Sequence, residues 1–185
     1  YINIFLPDEH MASSESLYFF PVSKLSDFQI PKEVLGNPGT SSVWFYQDLL
    51  SVPFLVNNSY HITNSVSCCR VLKHPDTDSI KYAYIIYLDA SEFSSILQEI
   101  FHDNQITSYI LTDNGKIVAS NNPSLLSASL DEEKLDFLYN KGDSLKKRAH
   151  TNYHTTTLRN GWLQVTEIPD SYIMQNTHIL IKVSS

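Results

Sequence analysis

The sequence predicts an α+β fold of two mainly antiparallel five-stranded sheets, each flanked by helices. Three observations carry this expectation. Eleven Tyr and nine Phe, with many Val, Ile and Thr, favour strands, because aromatic and β-branched side chains fit a pleated, half-buried surface. Several stretches alternate apolar and polar residues with the period of two that such a strand shows. Near the middle, Ala90 to His102 switches to the three-and-four spacing of a helix, and the strand period then restarts.

In the first half, strands are expected at about residues 1–6, 16–22, 42–48, 59–72 and 80–88. Tyr1-Ile2-Asn3-Ile4-Phe5 alternates from its first residue, and a short helical turn is expected near Pro31 to Leu35. Pro7-Asp8, Asn37-Pro38-Gly39, Asn57-Asn58-Ser59 and Pro75-Asp76 carry the residues that turns require. In the central helix Ser91 is placed to cap the N-terminus, and Phe93, Ile96, Leu97, Ile100 and Phe101 recur on one face. That face predicts a sheet beneath it.

The second half predicts strands at Thr107 to Thr112, Lys116 to Ser120, Ser144 to Thr151, Tyr153 to Arg159 and Trp162 to Ile168. A short helix over Asp131 to Asn140 interrupts them, with Leu135 and Leu138 inward and Asp131-Glu132-Glu133 in a first turn that favours acidic residues. Asp113-Asn114-Gly115 predicts a tight hairpin. Asn-Gly suits a type I′ turn, since both central residues must take positive φ. The order is an architectural repeat without residue-by-residue internal homology.

Composition narrows the function. Thirteen Lys and Arg against twenty Asp and Glu give a net charge of -7, and no basic stripe is present, which argues against nucleic acid as a partner. No apolar run reaches the roughly 18 residues of a membrane span, and no secretory leader pattern opens the chain. The chain starts inside a strand pattern and stops inside the amphipathic stretch Tyr172 to Val183, so it reads as a piece of something larger. Cys68 and Cys69 are adjacent and are expected on opposite faces of a strand, one a small core residue and one partly exposed. His150 and His154 would lie about 13 Å apart on an extended strand, too far to share an ion. No Gly-x-Ser-x-Gly elbow or phosphate loop occurs. Lys146-Lys147-Arg148 reads as a solvated strand face, or as a contact for anionic lipid headgroups. Neither a catalytic site, a metal nor a cofactor is expected.

Ile110 to Ser120, a strand ending in Asp-Asn-Gly followed by a strand ending in Ala-Ser, resembles the "I-x-D-x-x-G-x-I-x-x-S" stretch of the membrane-proximal half of a double Cache (PAS-like) sensor domain, with one residue fewer before the glycine. Gly161 to Pro169 resembles that family's "G-W-x-x-x-x-x-I-P". Lys81 to Asp89, running into the helix from Ala90, and Val43-Trp44-Phe45 resemble strands of the membrane-distal module. The long N-terminal helix that packs both modules together in that family has no counterpart in this sequence. The resemblance implies a distal module over 1–89, a connecting helix over 90–105, a proximal module over 106–172 and a juxtamembrane segment over 173–185. It further implies a ligand-sensing domain on the extracellular face of a bacterial membrane, attached to a homodimeric receptor and most like the sensor histidine kinases of Gram-positive bacteria.

In the amino-acid-binding branch of the family, an Arg two positions before the Trp holds a carboxylate, and an Asp at the end of the last distal strand pairs with the ammonium. Here Ser42 stands at the Arg position, Phe45 follows Trp44, and Asp89 matches the acidic position. The loss of the guanidinium disfavours a free amino acid and favours a neutral or cationic small molecule. Trp44, Tyr82, Tyr84 and Asp89 are the candidate ligand-binding residues: aromatics to wall a pocket and a carboxylate to orient the ligand. The same aromatics would serve as core, and Asp89 as a cap of the following helix. Rival readings are a protein- or polymer-binding module without a small-molecule pocket, and a secreted hydrolase.

Overall fold

The structure, a computed structural model, describes residues 1–7, 12–14, 17–28, 30–36, 42–53, 59–77, 79–140 and 144–175. The turns expected at Asp8, Asn37-Pro38-Gly39 and Asn57-Asn58, and most of the segment expected over 173–185, lie outside the described residues. Two compact units are present, Tyr1–Ala90 and Ser91–Ser185.

The first unit is built on β1 (Ile2–Leu6), β2 (Ala12–Ser14), β3 (Leu17–Pro21), β4 (Val43–Pro53), β5 (Ser59–Lys73) and β6 (Ile80–Asp89), in the sheet order β2-β3-β1-β6-β5-β4. The sheet has six strands where five were expected. The extra strand, β2, is three residues long and pairs with β3 at the edge, too short for its alternation to be seen in sequence. All pairs are antiparallel except β1 with β3. One face is apolar. Phe5, Phe20, Phe28, Val34, Cys69, Val71, Ala83, Ile85 and Tyr87 form a single buried cluster on it. A 3-10 turn over Val22–Asp27 adds Leu25, and helix α1 (Lys32–Gly36) adds Val34.

The second unit holds α2 (Ala90–Ile100), β7 (Thr107–Leu111), β8 (Ile117–Ser120), α3 (Glu132–Tyr139), β9 (Ser144–Arg148), β10 (Thr151–Thr157) and β11 (Leu163–Pro169). Its sheet, β8-β7-β11-β10-β9, is antiparallel throughout. Asp131 caps α3, its carboxylate accepting from the Lys134 backbone N–H at 2.7 Å. Helix α2 starts at Ala90, so Ser91 lies in its first turn and not at the cap. Its buried face is also narrower than expected. Ser94 and Leu97 are buried, whereas Ile96 and Ile100 are more than half exposed.

The Asp113-Asn114-Gly115 hairpin forms, but not as a type I′ turn. Only Gly115 has positive φ, +83°; Asn114 does not. The Gly115 N–H donates to the Thr112 carbonyl at 3.0 Å, and the Thr112 N–H donates to the Lys116 carbonyl at 2.9 Å. This is the three-residue loop in which a type I turn is followed by a left-handed glycine and a bulge. The Asn114 side chain does different work, accepting from the Thr112 hydroxyl. The second motif repeats the device: Gly161 donates to Leu158, Leu158 donates to Trp162, and Gly161 has φ +86°. A Cβ on Gly115 would also meet the Leu135 side chain at 3.4 Å and the Leu130 carbonyl at 3.5 Å, whereas one on Gly161 would meet nothing within 4 Å. Gly115→Ala is therefore expected to cost about 1.5 kcal/mol in urea unfolding, and more than Gly161→Ala.

Candidate functional site

Strands β4, β5 and β6 decide where the candidate residues point, because side chains alternate across a sheet and the register fixes each row. On the face shared with the core, three cross-strand rows follow one another. Val43, Cys69 and Ile85 lead to Asn3 on β1; Phe45 and Ser67 lead to Tyr87; Gln47 and Ser65 lead to Asp89. On the opposite face, Trp44, Cys68 and Ile86 form one row, Arg70 and Tyr84 the next, and Leu72 and Tyr82 the next.

This corrects the expectation of one pocket lined by Trp44, Tyr82, Tyr84 and Asp89. Tyr84 and Asp89 are an odd number of residues apart on one strand, so they point to opposite faces. Trp44, Tyr82 and Tyr84 share a face; Asp89 does not join them.

The Asp89 face changes character along its length. Beyond the aromatic cluster it becomes polar, yet Asn3, Ser65 and Ser67 are fully buried. The Ser65 and Ser67 hydroxyls hydrogen-bond to each other at 3.2 Å. Neither Nδ2 nor Oδ1 of Asn3 has a hydrogen-bond partner. Leaving such a group unmade costs on the order of 1–3 kcal/mol, so an amide in this position is an anomaly of a packed core. The Tyr87 hydroxyl approaches Asn3 without meeting hydrogen-bond geometry, and burial beside Cys69 pushes that phenol well above its ordinary range. No position in the three rows is basic. Sequence reasoning missed Asn3, Ser65, Ser67 and Tyr87; counting in twos back from Asp89 would have found Tyr87, but Asn3 requires knowing that β1 pairs with β6.

On the other face, the Ser42 hydroxyl and the Tyr84 hydroxyl hydrogen-bond at 2.8 Å. Ser42 also bonds the Cys68 thiol, whose pKa is raised by burial and held down in part by that bond. Cys68 is buried, contrary to the expected partial exposure of one cysteine, because Ser42 and its neighbours on this face cover it. Burial pushes the Cys69 thiol up to about 12, so neither cysteine is a ready nucleophile. Arg70 stands beside Tyr84 in register, its buried Nε without a partner.

In the second unit several charged groups satisfy one another. The Glu167 carboxylate accepts from the Tyr109 hydroxyl at 2.7 Å and from Lys134 Nζ at 2.9 Å. The basic run at 146–148 lies on a largely solvated strand face, as expected, with Lys147 and Arg148 exposed, and its charges are paired within the unit. Lys146 donates to the Leu138 carbonyl, Lys147 pairs with Asp170 at 2.8 Å, and Arg148 pairs with Glu133. Lys147 and Asn152 together hold the Asp170 carboxyl below its ordinary range. An open cleft of about 580 Å³ lies among residues 100–106 and Tyr172. His150 sits in the β9–β10 turn and His154 is exposed on β10; no group of three metal-ligating side chains occurs among the described residues. Nor, among them, is any helix long and apolar enough to cross a membrane.

With this geometry in view, the fold itself can be placed. The same fold is found in bacterial sensory domains. The periplasmic sensory domain of the Campylobacter jejuni chemoreceptor Tlp1 superposes with a TM-score of 0.56 at 9% identity, over 82% of this chain and 58% of that one. The extracellular domain assigned to histidine kinase rpHK1S-Z16 superposes at 0.55 with 12% identity, over 94% of this chain and 71% of that one. The ligand-binding domain of the Pseudomonas fluorescens chemoreceptor CtaA, in complex with L-isoleucine, superposes at 0.50 with 11% identity, over 91% and 65%. No protein-family model and no curated protein sequence matches the chain. The chain thus spans about three-fifths of the Tlp1 sensory domain.

Proposed function

We propose that this chain is the extracellular ligand-sensing part of a bacterial transmembrane receptor of the double Cache type, feeding a histidine kinase or a related output, and that it acts by binding and not by catalysis. The ligand is a small molecule held by the first unit, over about 1–89. The helix over 90–105 and the second unit, over 106–172, carry its effect toward a juxtamembrane segment at 173–185, in a receptor that is expected to dimerise. A ligand can do this only if it binds one arrangement of the receptor more tightly than the other.

The observation that carries the reading is the unpartnered Asn3 amide, buried near Tyr87 on the face that runs through Ser67 and Ser65 to Asp89. A core that only had to pack would put an apolar residue there. Asp89 is accordingly the site residue retained for the ligand, while Trp44, Tyr82 and Tyr84 wall the opposite face. One observation favours a second reading: Arg70 beside Tyr84 and Ser42 would suit an anionic ligand on that opposite face.

A thermal-shift screen of the purified chain against amino acids, amines and amides tests both. A ligand at ~100 times its Kd stabilises by about 2.7 kcal/mol. The shift is expected to vanish in Asp89→Ala and to persist in Trp44→Ala and Tyr84→Ala. Loss in Tyr84→Ala and Arg70→Ala with retention in Asp89→Ala would move the site to the other face, and no shift with any compound would leave the interaction-module reading in its place.

A further inference from the structure

Within that sensory reading, on which this inference rests, we infer the chemistry of the ligand: it carries an amide-type edge, an N–H donor next to a C=O acceptor, together with a positive charge, and it has no free carboxylate at the end that meets Asn3. The Asn3 side chain offers one carbonyl acceptor and an NH₂ donor, and both are unpaired in a fully buried position. The group that satisfies both at once is another amide, a urea or a lactam. A carboxylate satisfies only the donor, and leaves the Asn3 carbonyl oxygen facing a second acceptor.

The neighbouring rows sharpen the choice. None of the positions Val43, Cys69, Ile85, Phe45, Ser67, Tyr87, Gln47 and Ser65 that make up the three rows of this face with Asn3 and Asp89 carries a positive charge. An unpaired carboxylate brought here would be desolvated with no counter-charge from these rows, which is strongly unfavourable. The one formal charge in the rows is the Asp89 carboxylate, which favours a cation. Asp89 lies four residues along β6 from Ile85, the partner of Asn3, a distance of about 13 Å at the rise of a strand. A molecule that reaches both groups is therefore of amino-acid-amide to dipeptide-amide size, with its amine toward Asp89 and its amide toward Asn3.

The test compares glycyl-L-leucinamide with glycyl-L-leucine by calorimetric titration of the intact chain. These probes share the amine and side chain and differ only in carboxamide against carboxylate. The amide is expected to bind at least about tenfold more tightly, the scale of one well-made buried hydrogen bond. Asn3→Leu, which is close in volume, is expected to raise the melting temperature of the ligand-free chain and to bring the two probes within about twofold of each other. Equal binding of both probes by the wild type would overturn the amide inference while leaving the sensory reading standing. A lower melting temperature in Asn3→Leu would also overturn it, by showing that the amide is already satisfied in the folded chain. Loss of all binding in Asp89→Ala alongside a retained probe preference in Asn3→Leu would assign the preference elsewhere and refute the role given to Asn3.

Discussion

Phe5→Ala is expected to remove about 4 kcal/mol from the stability of the first unit. Phe5 is fully buried at the crossing of the two elements that close the apolar face. Its ring stacks on Phe20 at 5.7 Å and meets Phe28 edge-on at 4.9 Å, while Phe20 and Phe28 are themselves 5.1 Å apart. Each offset or edge-on pair adds about 0.5–1.5 kcal/mol beyond its buried area. Phe20 belongs to β3 and Phe28 follows the 3-10 turn, so a cavity at Phe5 loosens the segment that covers the sheet. Urea unfolding read by fluorescence of Trp44, which lies in this unit, measures the loss. Phe5→Leu refills part of the volume and is expected to lose about half as much.

In the second unit Lys134→Met is expected to cost about 2–3 kcal/mol, and Glu167→Gln about 1 kcal/mol. Both ionic side chains are largely covered, at 29% and 21% exposure, so the value for a fully buried pair is discounted for residual screening. Removing Lys134 leaves the Glu167 carboxylate with only the Tyr109 hydroxyl, and it removes an ammonium that lies 6.0 Å from the Tyr109 ring centre and 5.7 Å from that of Tyr153. Glu167→Gln keeps an acceptor for Tyr109. Burial, and then the Glu167 charge, hold the Tyr109 phenol far above its ordinary range, so the phenol stays a donor across the working pH range. Because the three groups form one network, Lys134→Met combined with Glu167→Leu is expected to cost at least about 1 kcal/mol less than the sum of the single changes. Strict additivity in a double-mutant cycle would show that the pair is decorative.

Much of the fold was legible because its strands alternate strongly. The five strands of the second unit and α3 fall within one to three residues of the sequence reading, and the Gly115 and Gly161 turns sit where the motifs put them. The losses have particular causes. β2 is three residues long, and a 3-10 turn such as Val22–Asp27 has no periodic signature. The Asn-Gly pair was read as two positive-φ residues, but Asn114 is used through its side chain, and the bulge is carried by Gly115 alone.

Candidate residues were legible one at a time and not as a set. Trp44, Tyr82, Tyr84 and Asp89 were chosen by type and by resemblance, and parity along β6 alone separates Asp89 from the two tyrosines. Asn3 carries no signal in its own segment, where a polar residue in an alternating strand reads as solvent-facing. It is buried because β1 is sandwiched between β3 and β6, a placement that depends on pairing across more than eighty residues of sequence.

Ligand-dependent amide chemical shifts, followed residue by residue in the intact chain as a binding compound from the thermal screen is titrated, test the central claim most directly. The account predicts that perturbations concentrate on Asn3, Ser65, Ser67, Tyr87 and Asp89 in the first unit. Perturbations centred on Trp44, Arg70, Tyr82 and Tyr84, with the Asn3 row unmoved, would contradict it.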